Sequence, residues 1–204
     1  MKFVIRPYHP SDLTSLYKIC LLTANSGKDG TKLFNDPDLV GHFYVAPYVV
    51  LEPEVSFIVT NNGKPCGYIV GTKDSQKFFE NCEKDWFPIL RARYPHSSES
   101  DSLNDAKAIK RIHEGHKVKE ELKDYPAHLH INLLPETQGQ GIGRKLMDQF
   151  INKLKELRVP ALHLEVGKNN PGAINFYEKM GFQIIKEYES SIAYGMKLMS
   201  DSHT

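Results

Sequence analysis

The sequence has few cysteines and almost no excess of charge of either sign, and both absences narrow its class. Its 204 residues include only Cys20, Cys66 and Cys82, an odd number without C-x-x-C spacing. This usage predicts reduced thiols and a cytoplasmic location. The formal net charge is only +1, so no overall field attracts nucleic acid or an anionic membrane.

Long apolar runs, internal repeats and low-complexity tracts are also missing. No apolar run approaches the length that spans a bilayer. Residues 1–7 are typical of a strand and lack the apolar core and cleavage site of a signal peptide. Hydrophobic residues make up 40% and charged residues 25%, as in ordinary globular proteins. We therefore predict one domain over residues 1–204, a monomer or homodimer with neither nucleic acid nor membrane as partner.

The pattern of apolar residues predicts seven strands that are separated by helices, loops and turns. The predicted strands cover residues 3–6, 55–60, 66–71, 127–134, 160–167, 182–186 and 192–198. Residues 73–125 are predicted to be a helical insertion, interrupted by a polar loop from Pro95 to Ser102. Pro88 is expected to kink or split the helix predicted over 78–93.

A glycine-rich stretch, Gln138-Gly139-Gln140-Gly141-Ile142-Gly143-Arg144-Lys145, lies between a predicted strand and an amphipathic helix. Glycines let the backbone approach an anion, and the helix start supplies free N–H groups. A Walker loop needs Lys-Ser/Thr after its last glycine, and a dinucleotide loop needs G-x-G-x-x-G; neither pattern is complete here. The pattern that fits is Q/R-x-x-G-x-G/A, which resembles the acetyl-CoA pyrophosphate loop of the GNAT superfamily of N-acetyltransferases.

A second block strengthens this resemblance. Residues 170–182, NPGAINFYEKMGF, are similar to the GNAT signature N-x-x-A-x-x-F-Y-x-x-x-G-F. They also suit a short helix, with Asn170 as N-cap, Pro171 at the first helical position and Gly181 after the end. The resemblance implies an α/β (α+β) fold: a mixed, mostly antiparallel sheet of about seven strands flanked by helices, with the insertion between the third and fourth strands.

Nearly the whole chain resembles the acetyltransferase-like domain of O-GlcNAcase and its free-standing bacterial relatives. The segments that carry this likeness are 36–48, 86–95 and 125–130. The chain departs from the animal O-GlcNAcase domains because its glycine loop is intact, which favours binding of acetyl-CoA.

The GNAT resemblance implies roles for particular residues. The fourth and fifth strands splay apart around the pantetheine arm, and Leu133 and Leu134 bond to that arm, with the Leu133 N–H polarising the thioester carbonyl. Tyr177 hydrogen-bonds or protonates the departing sulfur. The remaining residues expected to bind the cofactor are Gln138, Gly139, Gln140, Gly141, Ile142, Gly143, Arg144, Lys145, Asn170 and Asn175. The side chains of Arg144 and Lys145 are equally consistent with solvated cations at a helix start.

The general base is left open by the sequence. His128 and His130 are two apart and so lie on one face of a strand, where His130 would be nearer the thioester and His128 fits a structural imidazole better. Glu165 is another candidate, with a structural ion pair as its alternative. No third ligand is spaced for a metal. The predicted liners of the acceptor pocket are Asp29, Tyr44, Tyr48, Glu52 and Trp86, although each of them taken alone fits a packing or surface role better.

Three functions remain to be weighed. The first is an acetyl-CoA-dependent N-acetyltransferase acting on a small amine or a protein lysine. The second is a module that binds acetyl-CoA but has lost transfer. The third is a nucleotide-phosphate binder, which stabilisation by ATP and not by CoA would support.

Overall fold

The computed structural model describes residues 2–96 and 102–199. One seven-stranded sheet forms its centre, in the spatial order β1-β2-β3-β4-β5-β7-β6. The strands are β1 (Phe3–Pro7), β2 (Phe57–Asn61), β3 (Lys64–Thr72), β4 (Ala127–Leu133), β5 (Ala161–Gly167), β6 (Gln183–Glu187) and β7 (Ser191–Lys197).

Helices cover both faces of this sheet. They are α1 (Leu13–Leu22), α2 (Leu39–Tyr44), α3 (Ala46–Leu51), α4 (Ser75–Asn81), α5 (Phe87–Arg93), α6 (Leu103–Glu114), α7 (Ile142–Glu156) and α8 (Pro171–Lys179). Short 3₁₀ turns lie at Pro10–Asp12, Pro53–Val55, Glu120–Leu122 and Pro135–Thr137.

Adjacent strands are antiparallel everywhere except between β4 and β5, which are parallel. The predicted fold is therefore confirmed: a mixed, mostly antiparallel sheet of seven strands flanked by helices, with helical residues between β3 and β4. The parallel pair follows from connectivity, because the α7 crossover returns the chain to the same end of the sheet.

Each face of the sheet has its own apolar core. One core lies under α7 and α8, where the predicted stripe of α7 is buried. Within it, the ring of Phe150 lies so close to β3 that a Cβ on Gly71 would be 2.7 Å from it. The other core lies under α1–α6. Large side chains that are fully buried there include Leu16, Tyr48, Tyr68, Phe78, Phe87 and Ile112.

The residues between β3 and β4 complete the second core. Phe78 from α4, Leu90 from α5 and Ile112 from α6 are buried in it. Pro88 is the second residue of α5, and a π-helical turn over Cys82–Trp86 separates α5 from α4. The expected split near Pro88 is therefore present. The predicted polar loop falls largely on residues 97–101, which lie outside the described residues.

Cys20, Cys66 and Cys82 are buried and make no disulfide. In the two described ranges, no helix combines the length and the apolar character needed to cross a bilayer.

Candidate functional site

The sheet opens in its middle, where β4 and β5 part. The two strands pair only at Ala127 with Leu162 and at His128 with His163. Beyond that point β4 stays paired with β3 as far as Leu133, and β5 stays paired with β7 as far as Gly167. The inner edges of both strands therefore carry backbone groups that face a gap instead of a neighbouring strand.

The register of β3 and β4 shows which backbone groups face this gap. Leu134 N–H donates to the Cys66 carbonyl at 2.9 Å. Successive residues of a strand direct their backbone groups to opposite sides, so the N–H and C=O of Leu133 point towards β5. Leu134 differs from the sequence-based expectation. Its N–H is used by Cys66, and its carbonyl accepts from both the N–H and the hydroxyl of Thr137.

The glycine-rich stretch forms the turn that leads into α7. Gly139 and Gly141 have φ of +71° and +68°, a left-handed backbone that disfavours side chains. The first bond of the helix runs from Lys145 N–H to the Gly141 carbonyl. The N–H groups just before Lys145 therefore have no partner within the helix. Gln138 is not equivalent to the others, because its N–H donates to the Pro135 carbonyl.

The cationic side chains at the start of α7 are both exposed. The Arg144 guanidinium donates to the Lys179 carbonyl at 3.0 Å and so joins the start of α7 to the end of α8. Lys145 has no side-chain partner among the described residues. The anion-attracting character of this turn therefore combines backbone N–H groups with one fixed and one free cation.

Helix α8 borders the same gap. Asn170 caps it by accepting from Ala173 N–H at 3.2 Å, while Asn175 is exposed. The Tyr177 side chain is buried, with 8% of its surface exposed, and lines the cavity between the strands. Burial raises its pKa, so the phenol stays protonated over the physiological range. It makes no hydrogen bond with any described residue.

Two cavities adjoin the gap and share part of their border. One has a volume of about 540 Å³ and is bordered by Leu133, Asn170 and Tyr177. The other, of about 480 Å³, is bordered by Tyr48, His116 and His128. The two cavities share eight bordering residues. Two of them are Tyr44 and Arg111, and the other six belong to the parted strands: Leu129, His130, Leu164, Glu165, Val166 and Gly167.

A group of histidines lies at this junction. His128 and His130 share the side-chain face of β4 predicted from their spacing, and both contact the hydroxyl of Tyr48, at 2.8 and 3.1 Å. His163 on β5 lies beside His128, with ring centroids 5.5 Å apart. His116, beyond the end of α6, is stacked on Phe79.

These histidines are uncharged at neutral pH because burial penalises the imidazolium form. Desolvation lowers the pKa of His130 to about 3 and that of His116 to about 4. The pKa of His128 is lowered well below its ordinary value by the same cause and by its histidine neighbours. His163 is shifted in the same direction, partly offset by its hydrogen bond to the Tyr125 carbonyl.

The predicted liners of the acceptor pocket divide into two groups. Tyr44 and Tyr48 border the cavities. Asp29, Glu52 and Trp86 do not. Asp29 is exposed and bonds to Thr31 N–H, Glu52 is buried against Thr72 and Lys73, and the Trp86 indole donates to the His42 carbonyl. These three side chains have local structural partners instead.

Other residues of the site carry no signal in the sequence. Ser75 at the start of α4 bonds to His128, and Arg111 of α6 borders both cavities.

Glu165 bonds to Lys119 and to Ser191, each at 2.6 Å, which matches the ion-pair alternative for that residue. In the described part of the chain, no three His, Cys, Asp or Glu side chains are arranged to hold a metal ion.

Comparisons with known proteins agree with this geometry. The family model described as "Acetyltransferase (GNAT) family" matches residues 108–182. The crystal structure of SsHAT is similar with a TM-score of 0.89 and 34% identity, over 98% of this chain and 100% of that one. Protein O-GlcNAcase of Rattus norvegicus is 28% identical over 188 residues, 90% of this chain. The chain spans only 20% of that relative's length.

A shorter stretch of the chain is similar to a bacterial enzyme. The ribosomal protein bS18 alanine N-acetyltransferase of Escherichia coli K12 is 44% identical over 48 residues. Those residues are 24% of this chain and 32% of that enzyme.

Proposed function

Because this chain belongs to the GNAT acetyltransferase family, whose members use acetyl-CoA, we propose that it transfers the acetyl group of acetyl-CoA to a primary amine. The observation that carries this proposal is the gap between β4 and β5. It opens to one cavity bordered by Leu133 and Tyr177, and to a second bordered by Tyr48 and His128. A thioester in the first cavity can therefore be reached by an amine from the second, because the two cavities share residues of the parted strands.

The cofactor's pyrophosphate lies at the start of α7 in this proposal. The N–H groups from Gly139 to Arg144 point to the anion, aided by the helix dipole and by Lys145. The pantetheine arm follows the free edges of β4 and β5. Asn170 and Asn175 are assigned to the side of the arm formed by α8. In this proposal the charge of the pyrophosphate is stabilised by backbone N–H donors and by the Lys145 cation.

Transfer then proceeds by direct attack. The amine nitrogen forms a bond to the thioester carbon, and the oxyanion accepts a hydrogen bond from Leu133 N–H. The nitrogen loses its proton to His130, the C–S bond breaks, and Tyr177 gives its proton to the departing sulfur. The amide and CoA leave, His130 releases its proton, and Tyr177 regains one from solvent.

The low pKa of His130 has a consequence for this sequence of steps. His130 keeps a lone pair at neutral pH but is a weak base. It is therefore assigned to the proton of the tetrahedral intermediate, whose N–H is more acidic than that of the free ammonium. The acceptor amine must therefore already be neutral when it reaches the site.

The alternative is a module that binds acetyl-CoA without transferring it. Calorimetry with CoA and a thiol-release assay with acetyl-CoA over a panel of amines and lysine peptides separate the two. Tight binding without amine-dependent thiol release would favour the module. ATP serves as the third ligand, because stabilisation by ATP alone would favour a nucleotide binder.

Tyr177→Phe tests the acid directly. The variant keeps the ring that packs near Phe182 and Tyr194. We expect turnover to fall about a hundredfold with CoA affinity nearly unchanged, since only proton donation is removed. Full turnover by this variant would contradict the assigned role.

A further inference from the structure

We infer that Ser75, His128 and Tyr48 form a hydrogen-bonded chain that holds His130 in one tautomer, with its Nδ1 atom bare and accessible. These three would be positioning residues for His130, an inference that rests on the proposed function for its catalytic meaning.

The chain begins at a backbone carbonyl. Ser75 Oγ lies 2.6 Å from the Pro126 oxygen. A carbonyl carries no proton, so the serine hydroxyl must donate here. The same carbonyl also accepts from Ser75 N–H at 2.7 Å, which fixes the start of α4 against the segment that leads into β4.

The serine oxygen then determines the state of His128. Ser75 Oγ is 2.7 Å from His128 Nδ1. Since the single serine proton is already used, the oxygen can only accept, and Nδ1 must carry a proton. His128 is buried without a countercharge and stays neutral. Its Nε2 atom is therefore unprotonated and can only accept.

Tyr48 passes this polarity on to His130. Its hydroxyl is 2.8 Å from His128 Nε2 and must donate its one proton to that atom. The hydroxyl oxygen is 3.1 Å from His130 Nε2 and can only accept, so Nε2 of His130 carries a proton. A neutral His130 then has a bare lone pair on Nδ1.

The lone pair is available to a ligand. Nδ1 of His130 has no hydrogen-bond partner among the described residues. It is also not one of the described polar atoms that are both unpartnered and fully buried, so it is accessible. The ring borders both cavities. It is also held by aromatic edges, with the Tyr44 and Tyr48 centroids 5.4 and 5.2 Å away. The chain therefore orients the imidazole and selects which nitrogen can take a proton.

The opposite polarity is disfavoured by the same contacts. If Nδ1 of His130 were protonated, Nε2 would accept from Tyr48, and His128 would have to donate to Tyr48 through Nε2. His128 would then carry protons on both nitrogens, because Ser75 still requires one from Nδ1. That state is a buried cation, which the surroundings of His128 penalise.

Long-range ¹H–¹⁵N correlation spectra of ¹⁵N-histidine-labelled protein test this arrangement without any acceptor. We expect His128 to carry its proton on Nδ1 and His130 on Nε2, with the signals assigned from the His128→Asn and His130→Gln proteins. The same tautomer at both residues, or a proton on Nδ1 of His130, would overturn the inference.

Two variants connect the tautomer with turnover. Tyr48→Phe keeps the stacked ring but removes the link, and Ser75→Ala frees His128 to reverse the chain. We expect each to mix the His130 tautomers and to lower kcat about tenfold or more while KM for acetyl-CoA changes little. Tyr17→Phe is the matched control, because it deletes another Tyr–His bond, 2.7 Å to His42, away from the cavities.

The two levels of the proposal can fail separately. Wild-type tautomers and kcat in both the Tyr48→Phe and Ser75→Ala proteins would refute the positioning role. Undiminished turnover by His130→Gln, with the expected tautomers in the wild type, would refute His130 as the base and reduce the chain to a structural role.

Discussion

The half-buried ring of His116, whose Nε2 atom is fully buried, should contribute to a loss of stability in mild acid. Its centroid lies 4.2 Å from that of Phe43 and 4.7 Å from that of Phe79. Its Nε2 atom is buried without a partner in the described part of the chain. Desolvation, with a smaller contribution from Arg111, lowers its pKa from 6.5 to about 4. The folded state thus holds this imidazole neutral where the unfolded chain would protonate it.

The sign and size of the effect follow from linkage. A depressed pKa in a base means that the unfolded state binds the proton first as pH falls. Stability is therefore lost from about pH 6.5 downward, and the loss from this residue is complete near pH 4. Between pH 7 and pH 5, His116 alone should cost about 2 kcal/mol of unfolding free energy.

Two substitutions isolate this contribution. Neither His116→Phe nor His116→Gln can titrate, so both should lose about 2 kcal/mol less than the wild type between pH 7 and pH 5. At pH 7 the Phe variant should match or exceed the wild type because it removes an unpaired buried nitrogen. The Gln variant should be less stable, since it keeps a polar group there and loses the aromatic stack.

Urea denaturation followed by far-ultraviolet circular dichroism at the two pH values provides the measurement. The quantity compared is the difference in unfolding free energy between pH 7 and pH 5. Equal losses in the wild type and in both variants would show that His116 is not held neutral, and would refute the desolvation argument.

Two further predictions concern backbone conformation and packing. Gly141→Ala should cost about 1 kcal/mol of stability, since φ is +68° but nothing lies near the added Cβ, and it should also weaken CoA binding in calorimetry. Gly63→Ala, with φ of +82° and equally open surroundings in the β2–β3 hairpin, is the control that should leave CoA binding unchanged; equal weakening by both would refute a local role for the turn. Phe150→Ala should lower the unfolding free energy by about 3–5 kcal/mol in urea denaturation, because the fully buried ring fills the space above Gly71. A loss below about 1 kcal/mol would show that neighbouring side chains repack into the space left by the Phe150 ring.

Much of the fold could be predicted from local pattern. The apolar stripe of α7 repeats every three to four residues, and the strands alternate or run apolar between turn residues, so their existence follows from the sequence. Pro88 marked the break before α5 for the same local reason, since proline lacks the N–H that a helix interior requires. The acetyl-CoA family resemblance rested likewise on contiguous residues.

The limits of prediction lie where distant residues meet. Ser75 and His128 are 53 residues apart, and Tyr48 and His130 are 82 apart. No periodicity connects them, because the packing of α3 and α4 on β4 brings them together. Glu52 illustrates the converse, since a carboxylate expected in a pocket instead bonds to Thr72 and to the backbone of Lys73.

The sequence by itself determined the glycine turn, the helix that follows it and the succession of strands along the chain, because these depend on backbone freedom and on spacing within one segment. The family resemblance implied that β4 and β5 part, and the tertiary structure decided where: beyond His128, which leaves backbone groups free in the middle of the sheet. It also decided the protonation pattern of His130, because that pattern starts at the Pro126 carbonyl and passes through side chains from three separate elements.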